Sequence, residues 1–316
     1  MSPIPKRPLA ALGALLLAVS LAACSNSASP ASGSPAAPAA SLPSASPTAS
    51  SEALDMLEKA AQAAEGLSTY AYTLQLSQQL SGGAAEASDL KVDNEGKVEC
   101  SPLRVDQNVT SDMDGAKSSL RAILEPGAYY VYDPELTEWG KLAPDQADEV
   151  VKTLSDYQTN PAQAMREISK LGSGLVLTRK GEQDVLRYEG SGPEAKAFLN
   201  RVLEGTLDLG SLDAKVRESV AVQSLKVSVT LDDAKRMPLA YSIESEMTID
   251  YEAGKPSTLR QTLSGTYDKL NAVTPIVVPD AAKQAPVLDP PIDDPAADEG
   301  NLGTLDDLED PSLLNP

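Results

Sequence analysis

Residues 239–251 place Leu239, Tyr241, Ile243, Met247, Ile249 and Tyr251 on one parity and Ser242, Glu244, Glu246, Thr248 and Asp250 on the other. A period of two sustained over that length marks a β-strand with one face buried and one in water. Such a strand needs neighbours to satisfy its backbone and a cover for its apolar face, and this narrows the accessible folds sharply. The same alternation appears at Tyr70, Tyr72, Leu74 and Leu76, and at Leu103, Val105, Val109 and Met113. It returns at Ala221, Leu225, Val227, Val229 and Leu231, and in Leu259, Leu263 and Tyr267. Asp114-Gly115 and Asp133-Pro134 are turn signals that divide strands near 118–125, 129–132 and 138–142 into an antiparallel meander, and further strands are expected at 174–179 and 184–190.

Four helical stretches interrupt the strands. Ser51-Glu52-Ala53-Leu54 opens one that carries Leu54, Met56, Leu57, Ala60, Ala61 and Ala64 and stops at Gly66. Pro144 to Gln158 sets Val150, Val151, Leu154 and Tyr157 on one helical face. Asn160-Pro161 ends it and starts a short helix with Met165, Ile168 and Leu171, and 193–205 carries Ala197, Phe198, Val202 and Leu203. Many antiparallel strands with few helices make an α+β fold, and the economical arrangement is a curved antiparallel sheet wrapped around those helices.

The chain ends differ from this middle. Lys6 and Arg7 precede an apolar run from Leu9 to Leu21, too short to span a bilayer and suited to a secretion signal. Leu21-Ala22-Ala23-Cys24 closes it and resembles the lipobox, in which the cysteine receives diacylglycerol before cleavage at 1–23. Residues 25–50 hold 9 Ser, 8 Ala and 5 Pro, so 24–50 reads as the lipidated Cys24 plus a tether. As a coil that tether reaches roughly 30 Å, and fully extended about 80 Å. Residues 51–277 are the folded domain, and 278–316, with ten acidic residues, Lys283 and seven prolines, is expected as a disordered acidic tail.

Composition excludes several kinds of chemistry. There is no histidine, which removes Ser-His-Asp, Cys-His and His-ligated zinc sites. Loss of the signal takes the formal charge from −20 to −22, so nucleic acid and anionic headgroups are repelled. Once Cys24 is lipidated, Cys100 is the only thiol left, and no intrachain disulfide forms. Asp93-Asn94-Glu95-Gly96 and Asp112-Met113-Asp114-Gly115 look like fragments of calcium loops but lack the later bidentate Glu, and are read as hairpin turns. Asp232-Asp233 is likewise read as turn chemistry. No phosphate loop, nucleophile elbow or paired-carboxylate cleft is visible, so neither enzyme activity, cofactor nor metal is expected.

Several local phrases recur in a telling order. Leu67-Ser68-Thr69-Tyr70-Ala71-Tyr72 follows the Ala-rich helix, and Gly96-Lys97-Val98 leads to Pro102-Leu103-Arg104-Val105. Ala128-Tyr129-Tyr130-Val131-Tyr132-Asp133 runs into Glu138-Trp139-Gly140-Lys141-Leu142, and Leu231-Asp232-Asp233-Ala234-Lys235-Arg236-Met237-Pro238 precedes a long strand. Together with the lipobox and tether, this order resembles the LolA/LppX-like superfamily of bacterial envelope lipoproteins and lipoprotein carriers, over about 51–275. The resemblance implies an unclosed half-barrel with helices covering its concave face, and an acyl chain or acylated partner held between the two.

The expected protein is therefore a non-enzymatic monomer, lipid-anchored through Cys24 on the outer face of a bacterial plasma membrane. It carries a lipid or acyl chain between sheet and helices, with 144–171 and 193–205 as lids. The alternative is a surface scaffold or sensor ectodomain that binds a protein partner and no lipid. Tyr129, Tyr130, Tyr132 and Trp139 are the one aromatic concentration; they either pack the meander or form the wall of the ligand cavity.

Overall fold

The computed structural model describes residues 50–83, 87–207, 214–252 and 254–288; Cys24, most of the tether and residues 289–316 lie outside them. Helix α1 (Ser50–Glu65) leads into six strands: β1 (Thr69–Ser81), β2 (Ser88–Cys100), β3 (Leu103–Met113), β4 (Ala116–Glu125), β5 (Ala128–Asp133) and β6 (Glu138–Lys141). Three helices follow, α2 (Pro144–Thr153), α3 (Asp156–Thr159) and α4 (Pro161–Ser169), then β7 (Val176–Lys180) and β8 (Gln183–Gly190). Helices α5 (Pro193–Thr206) and α6 (Ala214–Ser219) precede β9 (Ala221–Asp232), β10 (Pro238–Glu252), β11 (Lys255–Asp268) and a last turn of helix, α7 (Asp280–Lys283).

All eleven strands form one antiparallel sheet in the order β6-β5-β4-β3-β2-β1-β11-β10-β9-β8-β7. The terminal strands β6 and β7 do not pair with each other, so the sheet is an open half-barrel and the fold is α+β. The period-two pattern does what it must: on β1, Tyr70, Tyr72, Leu74, Leu76 and Leu80 are buried, while Gln75, Ser77 and Gln79 between them are exposed. Helices cover the buried face. Ala53, Met56, Leu57, Ala60, Ala61 and Ala64 line one side of α1, and its alanines let α4 pack close through Ala162, Ala164, Met165 and Ile168. Each Leu, Ile or Met sealed in this layer contributes about 1.5–3 kcal/mol.

Two glycines make room for tyrosines. Tyr72 is the cross-strand partner of Gly96, and Tyr241 that of Gly265. A Cβ on Gly96 would stand 2.8 Å from the Tyr72 ring, and one on Gly265 2.7 Å from Cζ of the Tyr241 ring. Each ring thus lies flat against the strand opposite.

The structure departs from the sequence reading in four places. Asp93–Gly96 is not a turn: it lies within β2, paired on both sides, with Asn94 turned to the buried face. Asp112–Gly115 is the expected hairpin, with Asp114 and Gly115 at φ 54° and 87°. The helix expected over 144–158 stops at Thr153, because Leu154 and Ser155 are extended; Ser155 then caps α3, its Oγ accepting from Tyr157 N at 3.2 Å, and Val151 is exposed. The 3-10 turn Gly172–Gly174 and helix α6 appear where only strands or loops are expected.

The fourth departure is at the C-terminal side. Residues 278–288, expected as the start of the tail, are folded against the outer face of the sheet. Ile276, Val278 and Ala282 bury Ile123 and Tyr130 in a second apolar cluster, with Trp139 packed on it. Val287 then forms a parallel bridge to Lys141, with Lys141 N donating to Pro286 O (3.0 Å) and Leu288 N to Lys141 O (2.8 Å). The strap caps the β6 edge, which would otherwise present unpaired backbone.

Candidate functional site

The middle of the concave face is floored by tyrosines. Tyr70 and Tyr72 come from β1, Tyr241 from β10 and Tyr267 from β11; alternation points all four the same way, and neighbouring strands bring them together. Tyr70 meets Tyr267 edge-on at 5.9 Å between centroids, and Tyr241 lies 5.8 Å from Tyr267 and 4.7 Å from Tyr157 of α3. Beside them Tyr72 Oη donates to Gln107 Oε1 at 2.7 Å, to which Asn94 Nδ2 also donates at 3.0 Å. Burial holds the phenols of Tyr70, Tyr72, Tyr241 and Tyr267 well above their ordinary pKa, so they stay neutral donors.

Helix α3 rests on this floor. Tyr70 Oη donates to the Gln158 carbonyl at 2.7 Å and Tyr267 Oη to the Tyr157 carbonyl at 2.8 Å, while Gln158 Nε2 lies 3.4 Å from both Tyr72 Oη and Gln107 Oε1. Among the described residues, the hydroxyls of Tyr157 and Tyr241 are buried without a hydrogen-bond partner. A second amide group, Gln78 Nε2 to Gln261 Oε1 at 2.8 Å, ties the far end of the floor to Thr206 at the end of α5, whose Oγ1 donates to Gln261 Oε1 at 3.2 Å.

A cleft of about 270 Å³ runs beside α3, between the α2–α3 junction and α5, down to Leu263 on the sheet. Its lining sets buried Tyr157, Phe198, Val202 and Glu167 beside exposed Asp156 and Arg201. Glu167 is buried and held by Gln163 Nε2 and Lys170 Nζ, each at 2.7 Å. Burial, and then Glu167, push the Asp156 carboxyl upward, with Arg201 opposing. At 270 Å³ the cleft falls just short of the usual ligand pocket of about 300–1,000 Å³.

The aromatic group singled out in the sequence is split by the sheet. Tyr129 faces inward, joins the main core, and has its phenol pushed up to about 12 by burial, against a lowering hydrogen bond from Gln107. Tyr130 faces outward, donating to Glu125 Oε1 at 3.1 Å. Tyr132 pairs with Trp139 at 5.3 Å, and the Arg121 guanidinium lies 5.8 Å from the Trp139 ring centre. Only Tyr129 therefore borders the concave space, because neighbours along a strand point to opposite faces. The residues that do form the floor, Tyr70, Tyr72, Asn94, Gln107, Tyr241 and Tyr267, had a faint signal: two amides on the parity of Val92, Val98, Val105 and Val109.

A family model described as "Family of unknown function (DUF6612)" matches residues 52–287, three-quarters of the chain. The chain belongs to DUF6612. No curated protein matches this DUF6612 member. Solved structures similar to it include lipoprotein LppX of Mycobacterium tuberculosis, at 12% identity over 72% of this chain and 99% of that one, with a TM-score of 0.38. LprF of Mycobacterium bovis matches at 13% identity over 75% and 100%, with a TM-score of 0.35. A LolA superfamily protein of Nitrosomonas europaea matches at 9% identity over 68% and 94%, with a TM-score of 0.23.

Proposed function

We propose that this DUF6612 protein is an extracytoplasmic lipoprotein, held to the outer face of a bacterial plasma membrane through Cys24, that binds one apolar molecule between sheet and helices. The observation that carries the reading is the cleft beside α3, which passes Asp156, Glu167 and Arg201 as well as Phe198 and Val202 and reaches Leu263 on the sheet. A lining that joins buried Phe198, Val202 and Leu263 to charged side chains suits an amphiphile, a lipid or an acyl chain. Binding is by burial: a C16 chain taken from water contributes on the order of 10 kcal/mol before ordering costs. A chain of that length exceeds 270 Å³, so the α2–α3 segment moves outward to admit it. The signal, lipobox and tether in the sequence support the location.

The test is mass spectrometry of lipids extracted from the chain produced from residue 25 onward, followed by uptake of fluorescent fatty-acyl probes. Co-purified lipid or saturable uptake is expected. Protein that is empty and takes up no probe removes the reading.

One observation favours a scaffold instead: the outer face carries a polar hollow of about 770 Å³ bordered by Lys91, Lys226, Glu244 and Arg260, larger than the cleft beside α3. A protein partner lost on removal of 289–316, with no lipid extracted, would select that reading.

A further inference from the structure

Helix α3 is held to the middle of the sheet by polar bonds as well as by the Tyr157 ring, which is buried and packed on Tyr241. It is four residues long, bounded by extended Leu154 and Ser155 on one side and by Asn160-Pro161 on the other. A single turn has almost no stability of its own. Besides the Tyr157 ring, it is fixed by two phenol donors, Tyr70 and Tyr267, on two of its carbonyls, and by the Gln158 side chain beside Tyr72 and Gln107. Beside these, the Tyr241 hydroxyl is buried with no acceptor among the described residues.

We infer that the floor under α3 is the polar subsite of the bound molecule, and that α3 occupies it in the closed form as a stand-in: the ligand is a neutral acyl ester or amide whose carbonyl oxygen accepts the hydrogen bonds that Tyr70 and Tyr267 give to α3. This rests on the apolar-ligand reading above and adds the chemistry of the ligand. When α3 lifts, Tyr70 and Tyr267 lose their acceptors, and Tyr241 already lacks one. A pure hydrocarbon entering the space would leave all three donors buried and unpaired, which is costly, whereas a carbonyl oxygen with two lone pairs replaces what α3 supplied.

The same floor disfavours an ionised fatty acid. No Lys or Arg is among the buried residues described, and exposed Arg201 lines the cleft with Asp156 and Glu167. A carboxylate placed under α3 would be a buried charge without a counter-ion. Neutral carbonyls carry no such penalty. The position of the cleft fits, since its wall includes Ser155, Asp156 and Tyr157, so a chain seated there reaches the floor as soon as α3 moves.

The test uses the chain from residue 25 onward loaded with diphenylhexatriene, a hydrocarbon fluorophore, and displaces the dye with methyl laurate, laurate ion or dodecane at neutral pH. Methyl laurate is expected to compete on the order of tenfold better than either of the others. The double variant Tyr70→Phe/Tyr267→Phe should still bind the dye and lose that advantage. On addition of methyl laurate to the wild-type chain, backbone amides of 156–159 should exchange faster with deuterium. Equal competition by the three compounds, or an ester preference that survives in the double variant, overturns the assignment while leaving apolar binding intact. Should the double variant fail to fold, the wild-type ranking of the three competitors decides alone. Dye that never binds the wild-type chain removes both this assignment and the reading beneath it.

Discussion

Arg236 sits in the left-handed region, φ 59°, in the turn between β9 and β10, and from there its Nη1 bonds both Asp184 and Asp233. The Asp184 side chain is 1% exposed, and burial pushes its carboxyl upward, with Asp233 adding to the shift and Arg236 and Arg179 opposing it. Because the folded pKa lies above the unfolded value, the native state holds more protons in the window between them, and this group's contribution to stability falls as pH rises through it. Replacement Arg236→Met strands the buried carboxylate, with Arg179 3.8 Å away as its remaining cation. We expect a loss of about 3 kcal/mol at neutral pH, shrinking on acidification as Asp184 takes up its proton. Urea titrations at about pH 7 and pH 4.5 check this; a deficit equal at both would count against a buried charge as its origin. At this scale the sequence was only partly legible. Asp232-Asp233 could be read as a turn, since Asp232 Oδ1 accepts from Lys235 N at 2.6 Å, but nothing local tells that Arg236 reaches back to β8. Gln107 could have been flagged, being an amide between Val105 and Val109 on the buried parity. Tyr129 and Tyr130 could not be assigned, as consecutive tyrosines leave the parity open.

Elements with a strong period were legible to within a few residues; those fixed by tertiary contacts were not. The strands at 239–251 and 70–76 extend only modestly beyond the alternating residues, to Pro238–Glu252 and Thr69–Ser81. The strap after β11 was misread because its prolines and acids match a disordered composition, although Ile276 and Val278 share one parity. It folds because the sheet offers a partner surface, Ile123 and Tyr130, that the local sequence cannot announce. Glu99 Oε1 fixes its start by accepting from Ile276 N at 2.6 Å. The double substitution Ile276→Ala/Val278→Ala removes two anchors that are 2% and 4% exposed. It is expected to cost about 3 kcal/mol and to raise deuterium exchange in β6, whose edge the strap covers. Unchanged unfolding midpoints together with unchanged β6 protection would show that the strap merely rests on the sheet.

For the whole molecule, a half-barrel followed from counting long one-faced strands against few helices, whereas the degree to which its interior is filled did not, since volume depends on how helices sit rather than on which residues they carry. Location is a whole-molecule property too, and charge sharpens it. The chain, at −20, has no net electrostatic attraction to an anionic leaflet, and no described helix is long and apolar enough to cross one. On the proposed reading the membrane hold is the lipid at Cys24, where two acyl chains would make release negligible. Exchange of residues 1–24 for an ordinary cleaved signal should therefore move the protein from the membrane fraction to the soluble extracytoplasmic fraction almost completely, at low and at high salt alike. Metabolic labelling with palmitate should mark the wild-type chain and not Cys24→Ser. A signal-exchanged chain that still pellets with membranes at low salt and leaves them at high salt would mean that a surface of the folded domain binds headgroups despite the net charge, and the anchor would no longer account for location by itself.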